Sequence, residues 1–497
     1  MIYEELQKEQ NISDELRECL KQKEINKEFE VSAPRTDMID IFHFCLHLNK
    51  KVIIVSDMYM HADILRDLLR HNGLDTTCEI YVSCEHKRNK KTGLADILKS
   101  KGKKVLHLGD NYDADIVAVS KCGISTYLIP SAIDLLRKTK GRILEVKADD
   151  LYKRCLLGLF LTRVLNSPFT SGNEKGRISI SNYEQLASVI TPIVQTQLYY
   201  MLHVTKSMPV SDIIFIARDG FLPFQLWNKI LLHYGYSVLP KGKYVYSSGR
   251  ASSIAAIETK EEIQLMLDEY RGTTEELFAN IFDLDGYTGG DISEYSEKIM
   301  NKSEIERNEF RRYLDSADID FKSQVLYFDF FSKGTGQDNI QKIINRTLLG
   351  IYLNKSVSGI DRRNELTFMS LISVDNHYRD SFAIFKYYSL IEYIFSSPEP
   401  CLKRIENGKP VFFDEDRSKE GIVFMKKMHC AIQEYEEELL GLLGKYVPVC
   451  EDVEYEDMLI GMLDHISEWQ NLVPDTRTYE WFRGAYKGTG YGKTIQC

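Results

Sequence analysis

Gly109-Asp110-Asn111-Tyr112-Asp113-Ala114-Asp115 follows the apolar run Val105 to Leu108. The order reads as a buried strand whose carboxyl end delivers acids into one loop, chemistry suited to a hard cation such as magnesium. Asp110 and Asp115 are the candidate ligands, with Asp113 as a substitute. An earlier apolar run, Lys51 to Val55, ends in Ser56-Asp57, and the pair Lys90-Lys91 lies between the two runs. A hydroxyl, an ammonium and paired acids are the parts of a phosphoryl-transfer site. Ser56 and Lys90 are the candidate catalytic residues, with Lys91 the alternative lysine, and Asp57 is a candidate substrate contact.

A second group lies further along. Ile213 to Ala217 reads as a buried strand ending in Arg218-Asp219-Gly220, and Leu326-Tyr327-Phe328 as another ending in Asp329. Wound sheets keep their ligands at such strand ends. Ser332-Lys333-Gly334-Thr335-Gly336-Gln337 then forms a glycine-rich turn into a helix, whose free amides and Lys333 suit an anion. The turn has neither Walker A spacing nor a GxGxxG pattern, which disfavours a nucleoside triphosphatase or dinucleotide site. Arg218, Asp219, Arg250, Asp329, Lys333, Thr335 and Gln337 are the candidate substrate-binding residues. The alternative for these charges is a structural ion-pair network, for example Arg218 with Glu392.

These residues need elements to carry them. Residues 1–48 are rich in Glu, Lys, Leu and Ile, lack glycine and repeat their apolar positions at helical spacing. From 51 to 130 short apolar runs alternate with helical stretches, the pattern of a parallel wound sheet. The strands are Val52–Val55, Glu79–Val82, Val105–Leu108 and Thr126–Ile129; helices fall at Ala62–His71, Gly93–Ser100 and Ile116–Lys121. A second alternation places strands at Ile213–Ala217, Lys243–Ser247, Val325–Phe328 and Leu349–Leu353, with helices at Phe221–Leu232, Glu261–Tyr270 and Gln337–Ile344. The expected organisation is a helical segment over 1–48, an α/β core over 49–135, a helical connector over 136–208, a second α/β domain over 209–400 and a helical region over 401–497. Asn166 to Lys175 reads as a loop between units. The acidic group Glu434, Glu436, Glu437 and Glu438 reads as a solvated face of the helix Lys419–Tyr446.

Bulk properties narrow the classes. With 497 residues the chain fits roughly three domains. Hydrophobic residues at 43% and charged residues at 27% are those of a folded globular chain. A net charge of −10 disfavours a nucleic-acid surface. The ten cysteines form no CxxC pair and read as reduced thiols of a cytoplasmic protein. His43 and His47 share a helix face with no third ligand, a structural pair rather than a metal site. The longest apolar stretch, Cys155 to Val164, falls short of a bilayer span, and the amino terminus shows no secretory pattern.

Val55-Ser56-Asp57-Met58-Tyr59, Lys90-Lys91-Thr92-Gly93 and His107-Leu108-Gly109-Asp110-Asn111 resemble motifs two, three and four of the haloacid dehalogenase-like (HAD) superfamily, within a group of large predicted hydrolases associated with polysaccharide and glycosyltransferase proteins. The Ala217-Arg218-Asp219-Gly220 strand end, the turn from Asp329 to Gln337 and the Ser396-Ser397-Pro398 helix end resemble the second half of the same group. Two departures are Asp329-Phe330-Phe331, where Asp-x-Gly is usual, and Gly249-Arg250, where Ser-Arg or Arg-Arg is usual. The resemblance implies an α/β architecture with an N-terminally incomplete HAD-like Rossmann domain, 1–48 being the remnant of a cap, followed by a second Rossmann-like unit. It implies that Ser56 holds a phosphoryl oxygen, that Lys90 neutralises charge and that Asp110 and Asp115 bind Mg2+. It further implies a cytoplasmic role on a phosphorylated sugar or nucleotide-sugar, with a glycosyltransferase as partner. The nucleophilic Asp-x-Asp motif expected ahead of Ser56 is absent, so the chain as given is expected to hold magnesium weakly and to be inactive. Asp283-Leu284-Asp285 imitates that motif but reads as a helix end. The alternative reading is a non-catalytic binding or scaffold protein, with a transferase based on Asp219 or Asp329 as a third.

Overall fold

The computed structural model describes residues 2–74, 77–99, 104–167, 178–269, 273–284, 287, 289–290, 292–355, 366–372, 382–415 and 417–474. The chain is a mixed α/β protein that divides into two compact units, Met1–Ile143 with Gly158–Ser179, and Leu144–Leu157 with Ile180–Cys497.

The first unit opens with three helices, Ile2–Gln10, Asp14–Val31 and Thr36–His47. Ser13 starts the second of these by accepting the Leu16 N–H at 3.2 Å, the usual service of a serine at a helix N-cap. Strands β1 (Ile53–Ser56) and β2 (Glu79–Val82) pair in parallel, and so do β3 (Leu106–Gly109) and β4 (Ser125–Leu128). Side chains alternate across a strand, so one face of each pair is committed to the core. Ile53 and Val55 of β1, together with Val105, pack on buried Ala95, Leu98, Val119 and Ile124. On β3 and β4 the opposite face carries exposed Leu106, Leu108 and Tyr127. The expected strands fall within a residue or two of their observed positions. The helix Ala62–His71 has the expected bounds, whereas the later two are shorter: Asp96–Lys99 replaces Gly93–Ser100, and a π-helical turn, Tyr112–Val117, precedes Ala118–Ser120.

The second unit is built on a five-stranded parallel sheet. Its strands are β5 (Asp212–Ile216), β6 (Gly242–Val245), β7 (Val325–Ser332), β8 (Leu349–Lys355) and β9 (Phe368–Ile372), in the spatial order β6-β5-β7-β8-β9. From β5 the chain steps to β6 on one side, then crosses back to β7 on the other. The reversal makes the crevice at the carboxyl ends of β5 and β7 the topological switch point, where open parallel sheets bind ligands. β5, β7 and β8 are almost entirely buried, as central parallel strands covered on both faces must be. The buried helix Tyr183–Ser207 places three consecutive polar residues, Gln195, Thr196 and Gln197, in the interior.

Several expectations need correction. β9 was not expected, and the region after Pro400 is not simply helical: β10 (Leu402–Glu406) and β11 (Lys409–Phe412) form an antiparallel hairpin. Its turn is Asn407-Gly408, both at positive φ (53° and 71°), the dipeptide best suited to a two-residue hairpin loop. The helix Lys419–Leu443 has a charged face, but Glu436 is not on it: the side chain is fully buried and accepts a hydrogen bond from Gln195. Ahead of the Ser396-Ser397-Pro398 end the chain forms two short helices, Ala383–Lys386 and Tyr388–Phe395. Asp283 ends a π-helical turn, Phe278–Phe282, in the left-handed conformation, as a helix end should. Asp285, Gly286 and Thr288 lie outside the described residues, as do Tyr270 and most of the loop from Asn166 to Lys175.

Candidate functional site

In the first unit a short turn presents the lysine. Asn89 and Thr92 cap each other reciprocally, with N–H donations at 2.9 and 3.0 Å, and fix the turn Lys90–Thr92. Lys90 then reaches Asp115, both side chains nearly buried at 10% and 3% exposure. Lys91 is 53% exposed and pairs with exposed Asp113 at 3.2 Å. Burial therefore separates the two lysines that spacing left open. It also sets Asp113 apart from Asp115.

Asp115 is the hub of this cluster. Its Oδ1 receives Lys90 Nζ and lies 2.9 Å from His107 Nε2, while its Oδ2 accepts the Asn111 N–H at 3.0 Å. Burial pushes the carboxyl upward, but the hydrogen bonds from His107 and Lys90 prevail and bring it down to about 2. Gly109 is required beside it, because a Cβ at that position would lie 2.2 Å from Asp115 Cγ. At the end of β1, Asp57 Oδ1 accepts the Lys90 N–H at 2.9 Å, joining that strand end to the lysine turn. Ser56 Oγ lies 3.9 Å from Met58 Sδ. One cation was missed by the sequence reading. Arg35 donates to Asn166 O at 2.8 Å and Pro130 O at 3.2 Å, and its charge interacts with Asp110.

The donor set does not fit magnesium on the Asp110 and Asp115 pair. Asp115 is already committed to an ammonium, an imidazole and a main-chain N–H, which a dication would have to displace. Among the described residues no three His, Cys, Asp or Glu side chains are arranged to hold a metal.

In the second unit the switch point collects acids. Asp219 follows β5, Asp329 lies within β7 and Glu392 comes from the helix Tyr388–Phe395. Each is largely buried but keeps part of its surface accessible. Burial raises all three. Asp219 is further influenced by its own N–H and by Arg218, which lower it, leaving it at about 6. Glu392 is raised by burial and by the Asp219 charge to about 8, although the Tyr388 hydroxyl donates to it at 2.7 Å. Asp329 is held well above the carboxylate range by burial and by Asp219. The Asp219 charge raises both Asp329 and Glu392, so ionising one of these carboxyls opposes ionising the others. Gln197 fixes the Asp329 backbone by donating to its carbonyl at 2.8 Å. The run Gln195-Thr196-Gln197 was the sequence signal for this contact.

Arg218, Asp219 and Asp329 thus come together with Glu392, as the Arg218 charge acts on both Asp219 and Glu392. Lys333 stands in the turn between β7 and the helix Thr335–Ile344, and Thr335 is the first residue of that helix. Gln337 is no pocket residue: fully buried, it donates to Leu348 O and Thr367 O at 3.0 Å and accepts from Tyr352 at 2.7 Å. The glycines of the turn have packing reasons. Gly334 has φ of 82°, and a Cβ on Gly336 would stand 2.2 Å from the Tyr327 hydroxyl. Arg250 belongs to a different cluster, with its guanidinium 3.7 Å from Asp283.

No protein-family model matches the chain, and no curated protein matches it.

Proposed function

We propose that the first unit is a phosphoryl-binding site of the HAD type, and that the protein acts on or senses a phosphorylated sugar or glycoconjugate intermediate in the cytoplasm. The observation that carries this reading is Lys90, nearly buried and held by Asp115 beside the ends of β1 and β3. An ammonium has three donors. Asp115 holds it in place, and the Ser56 hydroxyl at the end of β1 would supply a further donor for a phosphoryl oxygen. Asp57 and Asp115 already serve as acceptors, so these residues support capture of a phosphoryl group more readily than attack on phosphorus. The test is 31P NMR of a hexose phosphate added to the full chain. In a background carrying Lys302→Gln and Lys403→Gln, which removes the separate cluster of cations around Asp283, line broadening should appear and be lost on adding Lys90→Met or Ser56→Ala; equal broadening in all three would overturn the reading.

A second reading is favoured by the acids gathered at the switch point, all raised by burial. Asp219, Asp329 and Glu392 offer both donors and acceptors to the hydroxyls of a nucleotide-sugar, with Arg218 for its charge. In that case the second unit binds the ligand, or a glycosyltransferase that uses it, without HAD chemistry. Arg218→Ala and Glu392→Gln should then weaken nucleotide-sugar binding while Lys90→Met leaves it unchanged. Unchanged affinity in the first two variants would exclude it.

A further inference from the structure

We propose that Arg250, Lys302 and Lys403 form a binding site for a phosphate monoester dianion, in which the carboxylate of Asp283 is an internal stand-in for the ligand. Four separate elements build the cluster. Arg250 comes from the helix Gly249–Ala255, Lys302 from the helix Ser296–Ser316, Lys403 from β10, and Asp283 from the end of the π-helical turn Phe278–Phe282. The three cations surround one carboxylate at 3.7, 3.5 and 3.6 Å, respectively. These separations exceed the roughly 2.7–2.9 Å of a closed charge-assisted hydrogen bond. Here the two oxygens of Asp283 meet the three cations only at these open distances. A phosphoryl group offers three oxygens in a trigonal array, one for each.

The charge balance points the same way. Glu306, 3.7 Å from Lys302, is the other acid of the cluster, leaving three cations against two acids. Burial raises the Glu306 carboxyl, against the charges of Lys302 and Arg250, which lower it. Arg404 lies nearby but is closed on Glu406 at 2.6 Å. The floor is pre-organised. Arg250, only 6% exposed at its side chain, donates to the Lys403 carbonyl, and both Arg250 and Lys403 lie 5.8 Å from the centre of the Phe413 ring. Lys302, Lys403 and Asp283 are partly open to solvent, so a ligand can reach the site and the carboxylate can leave it. Guanidinium and ammonium groups converging in this manner recognise phosphate.

The site is in the second unit and does not rest on the reading of Lys90. To keep the two separable, every protein in the test carries Lys90→Met. Inorganic phosphate is titrated calorimetrically into this background, into Asp283→Asn, and into Asp283→Asn combined with Lys302→Gln and Lys403→Gln. Removing the internal anion should tighten phosphate binding about tenfold, a coupling of ordinary allosteric size. The two glutamines, placed at partly exposed positions that should not break the core, should remove that gain and more. A hexose phosphate should follow the same order and unphosphorylated hexose should not bind. An unchanged phosphate affinity in Asp283→Asn, or in the glutamine variant relative to it, would overturn the proposal.

Discussion

Asp115 and Glu436 are both buried acids, yet they end on opposite sides of the ordinary carboxylate range. Asp115 has His107 and Lys90 against it and falls to about 2 from 3.8. Its folded value lies below its unfolded one, so its contribution is present above about pH 4 and lost as the pH falls toward 2. Glu436 has a neutral partner, Gln195, and burial raises it from 4.5 to about 7. Its sign is reversed: stability is full below 4.5 and lost as the pH rises through 7. Glu456, bonded to Thr196 at 2.6 Å, is likewise raised to about 7 and adds in the same direction. Each such group contributes a slope of about 1.4 kcal/mol per pH unit in that window. The midpoint of urea unfolding should therefore fall between pH 5 and 7, and less steeply in Glu436→Gln and Glu456→Gln; equal slopes would refute the assignment. Gly109→Ala should destabilise the first unit by about 2 kcal/mol or more, since the new Cβ displaces a buried carboxylate, and near-native stability would show that Asp115 can move freely. Spacing in the sequence supplied Ser56, Asp57, Lys90 and Asp115 as one group. It did not supply His107 or Arg35 as members, because nothing in their local sequence shows which way a side chain turns. Glu436 was legible in principle: Ile432, Leu439, Leu440 and Leu443 mark its helix face as apolar, but the neighbouring acids drew the reading outward.

Elements were legible where an apolar run carried them. β1 to β8 follow such runs, with β7 and β8 extending further than expected because both lie inside the sheet. β9 was missed: Phe368–Ile372 has an exposed first residue and is buried only at its last, leaving little pattern. The β10–β11 hairpin was missed although Asn407-Gly408 announces it, because Arg404, Glu406 and Lys409 dilute the strands. Its turn gives a direct check. Gly408 has φ of 71°, so Gly408→Val should cost about 1–3 kcal/mol through backbone strain, and it should also disturb Lys403 on β10. Phosphate binding in the Asp283→Asn background should weaken in parallel with that loss. Unaltered stability would mean that the turn relaxes at no cost.

At the scale of the molecule, the two α/β stretches of the sequence fall in different compact units, each with its own strands. The switch point between β5 and β7 could not be read from the sequence, since strand order depends on a crossover that no local pattern encodes. No described helix is long and apolar enough to cross a membrane. The central claim is that Lys90, held by Asp115, captures a phosphoryl group. Its most direct test is calorimetric titration of a hexose phosphate into the full chain carrying Lys302→Gln and Lys403→Gln, which silences the second anion site, with and without Lys90→Met. Binding that falls about tenfold or more on Lys90→Met, as expected for a charged hydrogen bond worth about 1.5–3 kcal/mol, is the predicted result; affinity indifferent to Lys90 would contradict it.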